Sequence, residues 1–388
     1  MTTATTAAPA AADLLAGYRP GAPFFFASPQ GTLLADGTYF AVPRSVRADC
    51  LGDLPGRVAA VLDVARAAGH ADPVVVGAVP FDPGAQARLS VPERILRAGR
   101  LPAGLPSGPA PARVTAVAPV PAEARYVDGV HRAVDRMRAG EFTKVVLART
   151  LELTAEGEVD AGAVLRRLAT RNPGGYTFAA DLGASRTLVG ASPELLVSRR
   201  GRTVVANPIA GSIARGADPV EDRRRAEALL ASAKDRREHA VVVDAVTTAL
   251  APLCGPLTVP AGPELISTAT MWHLSTVVTG EVGGPEVSSL ALACALHPTP
   301  AVCGTPDATA RAVIADYEDF DRGFYTGIVG WGDAHGDGEW VVTIRCAVTE
   351  GRTLRLYAGA GVVAESDPTA ELAETSAKFR TMLDGLGL

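Results

Sequence analysis

Residues 176–208 hold four short apolar runs back to back, and no other stretch narrows the possible folds as much. The runs at 176–181, 187–192, 195–199 and 203–208 each suit a strand, with turns at Gly183 and Gly201. Links this short can only reverse the chain, since a parallel pair needs a crossover of roughly a dozen residues. The pattern predicts an antiparallel meander. Further strands are expected at 24–26, 38–42, 74–79, 144–153, 268–280, 325–332, 339–348 and 352–358. Helices are expected at 54–68, 125–138, 161–170, 288–296 and 307–315, and over 219–253 with a break near 233–235. Strands in runs, then helices, then strands predict an α+β chain with large antiparallel sheets. The sequence has no G-x-G-x-x-G, no P-loop and no solenoid repeat. Residues 1–20 read as flexible, with a short helix feasible at 11–18. Residues 101–121, rich in Pro, Ala and Gly, read as a connection.

Composition removes several classes of function. Hydrophobic residues make up 47% of the 388 and aromatics only 5%, so the core is aliphatic. A net charge of −5 with no basic tract argues against a nucleic-acid partner. No apolar run approaches bilayer length, and the start lacks a cationic segment before an apolar one. Five cysteines without a C-x-x-C suggest reduced thiols. A cytoplasmic protein with a small-molecule partner, and no membrane partner, is the expectation.

Residues 358–383 carry the strongest chemical signal. Leu354, Leu356 and Ala358 alternate with polar neighbours, as a strand would. Gly359, Ala360 and Gly361 read as a turn whose amides can face an anion. Asp367 or Ser366 can cap a helix with Pro368 in its first turn. Glu371, Glu374 and Lys378 then fall on one helix face; an exposed Glu–Lys pair is the plain alternative. Lys144 starts a strand, either as a solvated strand-end cation or as an amine stripped of water and able to act as a base. Glu194, in GASPELLV, is either a turn residue or an inward carboxyl kept protonated, hence an acid. Asp235 and Glu238 share a helix face that turns toward Val241 and Val243. Such hard oxygen donors suit Mg²⁺ completed by water and substrate better than zinc. His239, His273 and His297 stand alone and read as hydrogen-bonding core or loop residues. Arg345 is expected mid-strand among apolar residues, gripping a carboxylate or phosphate of a ligand or of the chain itself.

Together these blocks resemble the chorismate-utilising enzymes: the isochorismate, salicylate, anthranilate and aminodeoxychorismate synthases. The resemblance covers roughly 127–383 and rests on KVVLAR (144–149), GASPELL (190–196), PIAGSIARG (208–216), AKDRREH (233–239), HLST (273–276), HPTPAVCGTP (297–306), FYTGIVGW (324–331), GDGEWVVTIRCA (336–347) and AGAG with its following helix. FFFASPQGTLL (24–34) is similar to the opening of siderophore-type isochorismate synthases. The resemblance implies one domain over 21–388, with two stacked antiparallel sheets, helices outside and the site in the cleft. Lys144, where ammonia-using members carry glutamine, implies water as nucleophile and no glutamine amidotransferase subunit. Ala301, where pyruvate-releasing relatives carry threonine, implies that the reaction stops at isochorismate. No LLES feedback motif is present. The implied roles are Lys144 as base and Glu194 as acid. Glu238 and Glu374 would hold Mg²⁺, with Asp235 and Glu371 behind them directly or through water. Arg345 and Tyr325 would grip a substrate carboxylate. Gly211, Ser212, His273, Ala301, Gly359, Gly361 and Lys378 would complete the binding of chorismate. Ala240, where some bacterial relatives carry an acid, implies only altered charge around the metal. The expected state is a monomer. A salicylate synthase and a silent chorismate-binding protein are the alternatives.

Overall fold

The computed structural model describes residues 9–388. Two antiparallel sheets lie face to face, with helices on both outer surfaces. The ten-stranded sheet runs from Gly304–Thr305 through Lys144–Ala155, Thr353–Val362, Cys346–Glu350, Arg186–Ser192, Tyr176–Gly183, Phe24–Ser28 and Gly31–Asp36 to Arg94–Ala98, and Val114–Val120 pairs beside Lys144–Ala155. The eight-stranded sheet runs Val278–Glu281, Thr203–Asn207, Leu195–Arg200, Gly338–Val342, Ile328–Asp333, Val74–Val79, Arg88–Val91, Phe40–Ala41. Ile209–Ala214, Met271–Ser275 and Glu264–Ser267 form a small third sheet. Strands from before and after residues 101–121 share both large sheets.

Strand alternation decides which layer each side chain enters. Phe24 and Phe26 point between the sheets, among Val76, Phe178 and Val341, while Phe25 points outward under helices. Ala11–Gly17, Ala161–Arg171 and Pro368–Leu386 cover the outer face of the larger sheet. Leu54–Ala67, Ala233–Leu250 and Ser289–Leu296 cover that of the smaller. Each fully buried aliphatic side chain in these layers contributes about 1.5–3 kcal/mol. No described helix is long and apolar enough to cross a membrane.

Several expectations fail for reasons visible in the packing. The short helix expected at 11–18 is present at 11–17, but the stretch is ordered rather than flexible, because Leu14, Leu15 and Tyr18 bury against Phe25 and Leu34; residues 1–8 lie outside the described part. The connection 101–121 contains the edge strand Val114–Val120. The single strand expected at 268–280 is two, Met271–Ser275 and Val278–Glu281, in different sheets. Arg88–Val91 and Arg94–Ala98 are two further strands that the sequence pattern does not mark, one only four residues long and the other interrupted by Arg97. Gly359–Gly361 is not a turn: it continues the strand, Gly359 opposite Ala148 and Gly361 opposite Val146.

Two crossings between the large sheets position the chemistry. After Ser192 the chain leaves the ten-stranded sheet, passes Pro193 and Glu194, and enters the other at Leu195. After Val342 it leaves the eight-stranded sheet and rejoins the first at Cys346. Arg345 is therefore not mid-strand. It occupies the break, with φ +51°, a left-handed backbone that non-glycine residues seldom adopt. The crossings bond to each other: the Ala191 N–H donates to Arg345 O at 3.0 Å, and the Val342 N–H to Glu194 O at 3.2 Å.

Candidate active site

A cleft of about 630 Å³, open solvent at its mouth included, lies beside these crossings. Of the predicted site residues, Glu194, Gly211, Ser212, Glu238, His273, Ala301, Tyr325, Arg345, Gly359, Gly361, Glu374 and Lys378 all line it, whereas Lys144, Asp235 and Glu371 stand just behind. Local chemistry explains the supports. Ser232 separates two helices by capping the second, its hydroxyl accepting from the Asp235 N–H at 3.2 Å. Asp367, rather than Ser366, caps the last helix through the Ala370 N–H at 2.8 Å. That helix presents Glu371, Glu374 and Lys378 inward, so the plain Glu–Lys pair does form, but inside the cleft. Gly211 sits at a bulge with φ +79°, and a Cβ there would crowd Asp235. Gly361 has no room for a side chain: a Cβ would lie 2.3 Å from Glu238 Oε1 and 3.3 Å from Lys144 Cε.

Carboxylates and lysines meet in pairs. Lys144, 2% exposed, places Nζ 2.9 Å from Glu238 Oε1, close enough for an ion pair but too poorly angled for a hydrogen bond. Lys378 Nζ lies 2.7 Å from Glu374 Oε1 and donates to Gly359 O at 2.8 Å. The Ser212 hydroxyl donates to the same Glu374 oxygen at 2.8 Å. Burial disfavours ionisation of Glu374, but Lys378 and Ser212 outweigh it and hold the carboxyl below its usual range. Glu371 is pushed up by burial and by the charge of Glu374. Asp235 is also raised, chiefly by burial, with Glu238 and Glu374 adding to it.

On the other side the charges reverse. Glu194 is 3% exposed, and burial pushes its carboxyl up to about 7 despite a hydrogen bond from the Ile209 amide and the nearby charges of Arg345, Lys144 and Lys378. Burial, with Arg345 and Lys378, holds His273 well below the usual histidine range, leaving its Nε2, 3.5 Å from Arg345 Nη2, free to accept. Tyr325 stacks on Tyr357, ring centroids 5.0 Å apart. His239 and His297 are buried hydrogen-bonding histidines, His239 between Ala210 O and Thr276 Oγ1.

Among the described residues no three His, Cys, Asp or Glu side chains converge on one point. In this arrangement the four carboxylates lie apart: Glu371 turns to Lys234, 3.4 Å away, and Asp235 tucks beneath Gly211. Glu238 and Glu374 alone line the cleft, hard oxygen donors from two helices within the field of two further acids. That set fits a cation taking few protein oxygens and completing its shell with water or substrate.

Val146, Val302, Thr326 and Tyr357 also line the cleft without any sequence signal, and Lys234, behind it, is a charged residue that reading by motif missed. The signal was compositional: only three of the 37 Lys plus Arg residues are lysines, and all three pair with site carboxylates. Each is a compact ammonium that meets its carboxylate as a point charge, unlike the forked guanidinium of Arg345 in the same cleft.

Stacked antiparallel sheets, with a buried acid and an arginine at paired crossings, define the class. The chain belongs to the family described as "Chorismate binding enzyme", whose profile matches residues 104–387. Within it, its relatives include isochorismate synthases. It is 54% identical to isochorismate synthase DhbC of Bacillus subtilis, over 97% of this chain and 96% of the relative. It is 40% identical to isochorismate synthase EntC of Escherichia coli, over 94% and 95%. A crystal structure assigned as the 2,3-dihydroxybenzoate-specific isochorismate synthase DhbC of Bacillus anthracis matches with a TM-score of 0.93 at 51% identity, covering 97% of this chain and 99% of that one.

Proposed function

We propose that this chain is an isochorismate synthase, converting chorismate to isochorismate by adding water at C2 and expelling the C4 hydroxyl. The observation that carries the reading is Glu194: a fully buried carboxyl at about 7, in a cleft that also holds Arg345 and abuts Lys144. Lys144, after giving the proton of its ion pair with Glu238 to solvent, takes a proton from water as the water oxygen bonds to C2. The ring double bonds shift, the C4–O bond breaks, and Glu194 gives its proton so that the hydroxyl leaves as water. One water enters and one departs. Exchange of protons with solvent returns both groups to their starting states. Arg345 binds the enolpyruvyl carboxylate, with Tyr325 beside it.

Glu238 and Glu374 would hold Mg²⁺, with Asp235 and Glu371 supporting them directly or through water. Bound there, the ion would offset the ring carboxylate of the substrate and draw the Glu238 charge away from Lys144. The names of two relatives, one 2,3-dihydroxybenzoate-specific and one vibriobactin-specific, favour a product destined for 2,3-dihydroxybenzoate in siderophore assembly, with salicylate the other fate considered. Five unpaired cysteines suit a reducing, cytoplasmic setting. The test is incubation with chorismate and Mg²⁺ without ammonia. Isochorismate without pyruvate is expected; salicylate plus pyruvate, or unchanged chorismate, would overturn the reading.

A further inference from the structure

The strand bearing Lys144 has a gap along one edge. Gly304–Thr305 pairs with its residues 144 and 145, and Val114–Val120 with 150–155. Between them, a buried ion pair replaces the missing strand. Glu318 and Arg322, each with its side chain 3% exposed, follow the helix Asp307–Tyr317. Glu318 Oε1 accepts from the Ala148 N–H at 2.8 Å, and Arg322 Nη2 donates to Val146 O at 2.8 Å. Backbone groups that would otherwise be orphaned in the interior are thereby satisfied.

The same guanidinium reaches two further segments. Its Nη1 donates to Val302 O at 2.8 Å and to Thr326 Oγ1 at 3.2 Å, while Nε donates to Glu318 Oε2 at 2.7 Å. Val146, Val302 and Thr326 all line the cleft, though neither Arg322 nor Glu318 does. Thr326 is a β-branched residue at φ +59°, a strained conformation that persists only where its surroundings impose it. A buried ion pair adds little net stability over apolar side chains of equal size. What this pair supplies is geometry, because only an arginine presents enough donors in one rigid plane to bind these acceptors together.

We propose that Arg322 and Glu318 are positioning residues for the reaction. Their hydrogen bonds lock the strand of Lys144, the loop of Ala301 and the turn of Tyr325 into one wall of the cleft. The inference rests on the isochorismate synthase reading. Its test measures kcat and KM for isochorismate formation in Arg322→Lys, Thr326→Gly and the double variant, with circular dichroism and melting to fix the folded fraction. Arg322→Lys keeps the charge but loses the fork, and kcat per folded molecule should fall about 10- to 100-fold while KM changes far less. Glycine adopts φ +59° freely, so Thr326→Gly folds, and it should show a smaller loss in the same sense. Because Thr326 acts through its hydrogen bond from Arg322, which Arg322→Lys already disrupts, the double variant should be little worse than Arg322→Lys. Wild-type kcat per folded molecule in both single variants, or fully multiplicative losses in the double, would overturn the proposal. If Arg322→Lys does not fold, Thr326→Gly decides alone. Turnover by the wild-type chain in the same assay separates failure of this inference from failure of the functional reading.

Discussion

Replacing Glu194 by Gln should make the protein more stable and far less active, and the stabilisation should depend on pH. The carboxyl sits at about 7 in the fold against an ordinary value of 4.5, and burial is the main cause. That difference is worth about 3 kcal/mol. The sign follows from protonation. Below 4.5 the group is protonated in both folded and unfolded chains, and the penalty is absent. As pH rises from there to about 7, the unfolded chain ionises freely while the folded one resists, so stability drains away; above that the loss is complete. Glutamine keeps the shape and can accept from the Ile209 amide without ever needing to ionise. Melting of Glu194→Gln should therefore match wild type near pH 4.5 and exceed it by a few degrees at pH 8.5. Activity should move oppositely. Wild-type kcat/KM reports the free enzyme and should decline as pH rises through about 7, because the general acid is lost. The variant should lack that limb and run about 10²–10⁴-fold slower. Parallel melting curves for the two proteins across the whole range would refute the idea that this carboxyl is forced to stay protonated.

Three other outcomes are expected. Lys144→Ala should fold normally and lose about 10²–10⁴ in turnover, and near-normal turnover would remove Lys144 from its role as base. Gly361→Ala should displace Glu238 and Lys144 together, since the new methyl would lie 2.3 Å from one and 3.3 Å from the other, so turnover should drop at least about tenfold with the sheet intact by circular dichroism. Chelation of divalent cations should abolish turnover and Mg²⁺ restore it. Mg²⁺ should also raise the melting temperature of wild type but not of Glu238→Gln/Glu374→Gln, and equal shifts in both would place the metal elsewhere.

Much of the site was legible because its local signals are short-range. A cap at Asp367 or Ser366 before Pro368, a break near 233–235 and the shared face of Glu371, Glu374 and Lys378 depend on neighbours within a helical turn. Repeated strand runs were enough to exclude a parallel sheet. What failed were statements needing knowledge of a distant partner. Arg345 looked mid-strand because apolar residues flank it on both sides, yet its two flanks belong to different sheets. Gly359–Gly361 looked like a turn, but a paired strand needs glycine just as much where side chains from elsewhere press against it. Lys234 carries no local signal, since its partner, Glu371, is 137 residues away.

By itself, then, the amino-acid order determined the inventory: an antiparallel α+β chain carrying an amine, an acid, an arginine and four further carboxylates in recognisable settings. Only the folded chain decided which of them meet and how they titrate. Stacking two sheets buries the crossings between them, and it is that loss of water, invisible in any local pattern, that holds Glu194 near neutrality beside an arginine.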